Sequence, residues 1–173
     1  EQANRHDAIR MFVERSQLAS SEFALTPDNV HAVVKICQHL DGIPLALELA
    51  AARTRSLSPA QILDRLGERF RLLTAADQGA EGRQQTLLRT IEWSYDLLAP
   101  DQKLLFRRLG VFAASFALPS AEKVCIGEGV DEYDVVDLLM ALVDKSMVAT
   151  DSASDGTTRY TMLESLREFA RRE

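Results

Sequence analysis

Between residues 132 and 173 the hydrophobic period changes twice, and few folds accommodate both changes. Residues 132–145 are the most strongly amphipathic stretch of the chain. Val135, Leu138, Leu139, Leu142 and Val143 recur there at the spacing that puts them on one side of a helix. Two short β-like runs follow, 147–150 and 158–161, separated by a polar segment with an Asp155-Gly156 turn signal. From Met162 the helical period returns, with Leu163, Leu166 and Phe169 or Ala170 on one stripe.

The preceding segments are helical. Residues 86–98 place Leu88, Ile91, Tyr95 and Leu98 on one face, and Pro100 opens a helix with Leu104, Leu105 and Leu109 inward. A loop at 113–118 leads to a short helix with Ala121, Val124 and Cys125, broken by Gly127 and Gly129. Helices followed by a helix, a hairpin and a last helix describe a winged helix-turn-helix.

The first half reads as a small helical bundle. Ile9, Phe12 and Val13 share a face of a helix at 7–19. Thr26 precedes Pro27 as an N-cap before a first-position proline, and Val30, Val33, Val34 and Cys37 continue that helix to a glycine stop near Asp41-Gly42. Pro44 opens an Ala- and Leu-rich helix to about Arg55. Ser58-Pro59-Ala60-Gln61 is a capping box, followed by Ile62, Leu63 and Leu66 and an apolar cluster of Phe70, Leu72 and Leu73. The expected fold is therefore mainly α, with a helical subdomain at 1–75, a polar linker at 76–85 and a winged-helix subdomain at 86–173.

Charge bounds the function. The net charge is −6, which disfavours general affinity for nucleic acid or anionic lipid. Residues 1–83 carry ten basic and eleven acidic groups, whereas residues 84–173 carry ten and fifteen, so the winged half is the acidic one. The helix before the hairpin, the usual major-groove reader, sets Asp131, Glu132, Asp134, Asp137 and Asp144 against Lys145 alone. Asp151 and Asp155 occupy the wing, so no direct DNA contact is expected through 132–145. The longest uncharged run, 109–121, is too short to span a bilayer and contains Pro119.

No glycine is followed by lysine, so a P-loop is missing, and no nucleophile, metal or cofactor set emerges. The expectation is a fragment that is not itself an enzyme. His31, Cys37 and His39 diverge around a helix and read as exposed or core residues rather than ligands. Cys37 and Cys125 read as buried free thiols of a cytoplasmic protein, with a disulfide or reactive thiol as the alternative. The opening residue is Glu1, not Met, which reads as a piece of a longer protein.

Several segments carry a family resemblance. Gly42-Ile43-Pro44-Leu45-Ala46, with Leu47-Glu48-Leu49-Ala50-Ala51 after it and Ile36-Cys37-Gln38-His39-Leu40-Asp41 before it, resembles the GLPL motif of STAND-class (NB-ARC-like) signal-transduction ATPases. Arg83-Gln84-Gln85-Thr86-Leu87, Trp93-Ser94-Tyr95-Asp96-Leu97-Leu98, Leu142-Val143-Asp144-Lys145-Ser146 and the run from Arg159 to Ala170 resemble its winged-helix part. The match covers nearly the whole chain, and it is the order and spacing of the motifs that make it specific.

The resemblance implies an ATP/ADP-dependent switch, as in large bacterial LuxR/AfsR-type transcriptional regulators, completed by an upstream P-loop domain of the same protein. It places Pro44 on the nucleotide base, with Gly42, Ile43 and Leu45 around it. It places Met162, Leu163 and Glu164 where relatives carry Met-His-Asp; leucine there cannot donate a hydrogen bond to phosphate. Core packing is the simpler reading of Met162 and Leu163, and a helix-opening role is the alternative for Pro44. Subdomain rearrangement would transmit nucleotide state, with protein partners or self-association as further expectations. The alternative readings are a DNA-binding winged helix and a protein-interaction scaffold.

Overall fold

A computed structural model describes residues 2–70, 80–152 and 156–173. The chain divides into two compact units, Glu1–Asp96 and Leu97–Glu173.

The first unit contains α1 (Gln2–Ala19), α2 (Val30–His39), α3 (Pro44–Ala51) continued by a 3-10 turn (Ala52–Arg55), α4 (Pro59–Phe70) and α5 (Ala80–Asp96). Phe12, Val33, Ile36, Leu40, Leu47, Ile62 and Leu66 are fully enclosed at its centre. The Ser58–Gln61 box forms as expected: Ser58 N donates to Gln61 Oε1 at 2.9 Å, and Gln61 N donates to Ser58 Oγ at 3.3 Å. The start of α2 differs from expectation. Asn29, not Thr26, closes the turn, because its Oδ1 accepts from Thr26 N at 2.9 Å while its Nδ2 donates to Ala24 O. Regular helix therefore begins at Val30, after the proline.

Of the expected linker at 76–85, residues 76–79 lie outside the described residues, whereas 80–85 form the first turns of α5; the side chains of Phe70, Leu72 and Leu73 also lie outside the described residues. The helix expected to open the winged half instead packs with the first unit, up to Asp96. The reason lies in its small residues. Gly82, Thr86, Thr90 and Ser94 recur every four positions and are all buried, and α5 lies against the alanine-rich α3. Small residues facing each other let the two backbones approach. Leu88 is left outside this contact, while Trp93 enters the core.

Arg53 fastens the same interface. Only 3% exposed, it donates from Nη2 to Ser94 O at 3.2 Å and lies 6.0 Å from the Trp93 ring centre. Burial lowers its pKa to about 10, so it stays charged at neutral pH. The charge sits at the C-terminal end of α5, where the unpaired carbonyls are negative.

The second unit contains α6 (Pro100–Leu109), α7 (Leu118–Cys125), α8 (Glu132–Asp144), β1 (Ala149–Ser152), β2 (Thr158–Thr161) and α9 (Glu164–Ala170). The strands pair antiparallel, with Ala149 opposite Thr161 and Ser152 opposite Thr158. Phe116 exchanges two backbone hydrogen bonds with Tyr160 on the other edge of β2. Phe112, Phe116 and Tyr160 stack, with ring centres 4.3 and 5.9 Å apart. The first strand begins at Ala149 rather than at Met147. Ser146 takes a left-handed φ of 57°, and Met147 and Val148 are drawn into the core before pairing starts.

Gly129 shows how tightly α6 and the turn before α8 meet. Its φ is +83°, and a Cβ there would lie 2.9 Å from Leu104 Cδ2. Gly129→Ala is expected to destabilise the second unit by about 1–2 kcal/mol. A lowered melting temperature by circular dichroism checks this.

Candidate functional site

Three regions carry the candidate residues of the sequence: the corner at Gly42–Leu45, the segment Met162–Glu164, and the outer face of α8 with the wing.

The corner closes α2 with two successive left-handed residues, Asp41 at φ 51° and Gly42 at φ 66°. Glycine was expected to supply this stop alone. Asp41 joins it, and its Oδ2 accepts from Thr86 Oγ1 at 3.1 Å, tying the corner to α5. Gly42 N donates to Cys37 O at 3.1 Å and Ile43 N to Leu40 O at 2.9 Å. Pro44 then takes the first helical position of α3. Its ring is exposed, with Ile43 and Leu45 half-buried beside it. The corner thus presents a rigid apolar ring on a fixed turn.

The segment at the start of α9 is less suited to phosphate. Met162 is buried, Leu163 is 44% exposed, and the Glu164 carboxylate accepts from Arg167 at 2.6 and 2.7 Å. An apolar side chain and a carboxylate do not form an anion cradle.

In α8 the buried face is Val135, Leu138, Leu139 and Leu142, packed on α6 and α7. The opposite face carries Glu132, Tyr133, Asp134, Val136, Asp137, Met140 and Asp144, all exposed. Three cations of this unit hydrogen-bond to its own groups. Lys145 Nζ donates to Gln102 Oε1. Arg159 in β2 donates from Nε to Ser115 Oγ at 3.0 Å and from Nη2 to Ser115 O at 2.5 Å. Arg108 donates to Cys125 O and to Glu128 O, both at 2.7 Å, which pins the turn between α7 and α8. Sequence reasoning located the acidic residues of α8; which apolar residues share their face became visible only once the buried side was fixed.

Both thiols are free and buried. Burial pushes the Cys37 thiol up to about 12, against a hydrogen bond from its own backbone. Burial pushes Cys125 to about 11, against the nearby positive charge of Arg108. A thiol of the unfolded chain ionises near pH 8.5. The folded state therefore holds more protons above that pH, and the stability contributed by the buried thiol falls as pH rises from about 8.5 toward 12. Cys37→Ala is expected to flatten the decline of the first unit's melting temperature between pH 8 and 10. At pH 8 the native chain is expected to react slowly with iodoacetamide at both cysteines and rapidly in guanidinium.

Residues 98–173 match the family model for the winged helix-turn-helix domain. The second unit is a winged helix-turn-helix domain. A Mycobacterium tuberculosis protein provisionally named an HTH-type transcriptional regulator is 44% identical over 164 residues, 95% of this chain and 18% of that protein. Its Mycobacterium bovis counterpart matches to the same extent. An uncharacterised Mycobacterium tuberculosis protein is 42% identical over 166 residues, 95% of this chain and 42% of its own length. The chain is thus homologous to proteins named as transcriptional regulators, and spans well under half of each. In winged helix-turn-helix terms α8 takes the place of the recognition helix and the β1–β2 hairpin is the wing. Among the described residues no helix is long and apolar enough to cross a membrane.

Proposed function

We propose that this chain is the regulatory portion of a cytoplasmic transcription regulator, and that its winged-helix unit makes protein contacts rather than reading DNA. The observation that carries this is the outer face of α8. Exposed Glu132, Asp134, Asp137 and Asp144 would stand against phosphates, and binding there would add repulsion instead of releasing counterions. The homologues' names support the transcriptional setting.

The family resemblance supports a finer reading, in which an ATP- or ADP-bound P-loop domain elsewhere in the same protein biases the arrangement of these units. Pro44, flanked by Gly42, Ile43 and Leu45, is then the base-side contact; Met162, Leu163 and Glu164 would close against the nucleotide without supplying a phosphate donor. The nucleotide, when bound, contributes the binding energy that selects one arrangement. This chain holds the turn.

A second reading, direct DNA binding by the winged helix, is favoured by the domain description and by the homologues' names. A gel shift with mixed genomic duplex at low salt separates the two. No retarded band is expected from this chain at micromolar concentration. A tight, salt-sensitive complex would replace the protein-contact reading with the DNA one.

A further inference from the structure

The exposed residues of α8 are not scattered. Tyr133, Val136, Met140 and Val143 follow a 3-4-3 spacing, the a-d-a-d pattern of a coiled-coil seam. Tyr133 is 88% exposed, Met140 40% and Val136 37%, and Val143 is half-buried at the end of the row. Tyr133 and Met140 lie on the side of α8 turned away from Val135, Leu138, Leu139 and Leu142, which hold the helix to its own unit, and Val136 and Val143 lie toward the edge of that buried face. One flank is acidic, with Asp137 and Asp144 at the e positions; on the other, Glu132 at the first g position is exposed and Leu139 at the next is buried in the unit's own core.

We propose that the outer face of α8 docks a cationic amphipathic helix of a partner protein. This rests on the reading of the winged helix as a protein-contact unit. An acceptable partner carries apolar residues at its own a and d positions and Lys or Arg at e and g. Two other occupants fail on charge. A second copy of this face would set these carboxylates against one another, Glu132 against the other copy's Asp137 in parallel register and like positions together in antiparallel register. A DNA backbone would meet the same carboxylates. Met140, flexible and polarisable, lets the seam accept apolar side chains of different shape. From Tyr133 to Val143 the seam is about 15 Å long. That length suits a small, transient contact.

The test uses the 173-residue chain and two designed helical peptides of about 20 residues. Both have Leu at a and d; one has Lys at e and g, the other Glu. Calorimetry or anisotropy is expected to show binding of the lysine peptide only, weakening as salt rises. Glu132→Lys with Asp137→Lys is expected to weaken it at least tenfold and to admit the glutamate peptide, with the fold confirmed by circular dichroism. Should that double variant not fold, Tyr133→Ala, at a site nearly free of packing, is expected to weaken the lysine peptide several-fold. The proposal is overturned if neither peptide binds, if both bind equally, or if no folded variant alters binding. Failure of both peptides leaves the protein-contact reading standing. Tight duplex binding in the gel shift removes that reading itself.

Discussion

Leu139→Ala is expected to cost the second unit about 3 kcal/mol. Leu139 is fully buried and belongs to the row with which α8 packs against α6 and α7. Truncation removes the transfer free energy of three carbons and leaves a cavity that neighbouring helices close only in part. The unit has fewer than 80 residues and is correspondingly marginal, so this loss is a large share of its stability. Chemical denaturation is expected to show a lower midpoint with an unchanged slope. Met140→Ala, one residue along but on the outer face, is expected to leave the midpoint nearly unchanged. Equal effects at the two positions would contradict the assignment of faces on α8.

Phe12→Ala is expected to be as damaging in the first unit, at about 4 kcal/mol. Phe12 is fully enclosed, and its ring meets Phe23 edge-on at a centre-to-centre distance of 6.4 Å. It lies where α1 crosses the α3 region, so its loss frees the helix that covers the Gly42–Leu45 corner from one side. That closeness is visible at Gly42, where an added Cβ would sit 3.6 Å from Ala8 Cβ. A neighbouring surface contact gives the scale for comparison. Arg15 and Glu48 join α1 to α3 at 3.1 Å, but both are partly exposed, and breaking the pair is expected to cost under about 1 kcal/mol. Thermal melts of Phe12→Ala and Glu48→Gln measure the contrast.

The architecture of the second half was legible because its signals are local. The apolar row of α8, the Gly156 turn and the return of helical spacing after Met162 each follow from residues near one another in the chain. Signals that depend on distant partners were not legible. Nothing near Trp93 indicates that it packs with the first unit, because that depends on Arg53, forty residues earlier, and on the alanines of α3. Val124 has the spacing of a core residue yet is 48% exposed, since α7 is short and only Ala121 and Cys125 reach the interior. Asp41 in a left-handed conformation depends on a hydroxyl at Thr86 that no local pattern reveals.

The candidate site divides in the same way. Carboxylates on α8 could be counted from the sequence, and Pro44 stood out by its setting between glycine and a helix. The a-d row of Tyr133, Val136, Met140 and Val143 needed the structure, because Val143 counted with the inward row in the sequence and is only half-buried. Arg159 and Lys145 also counted as cations near the wing. Their hydrogen bonds to Ser115 and Gln102 turn them toward the protein's own groups.

Titration of a fluorescent duplex with the wild-type chain and with a Glu132→Lys, Asp134→Lys, Asp137→Lys variant, over a range of salt concentrations, tests the acidic face of α8 directly. The expectation is no measurable wild-type binding and a salt-dependent gain in the variant, whose helix occupies the recognition-helix position without the repelling charges. Wild-type binding at least as tight as that of the variant would contradict it.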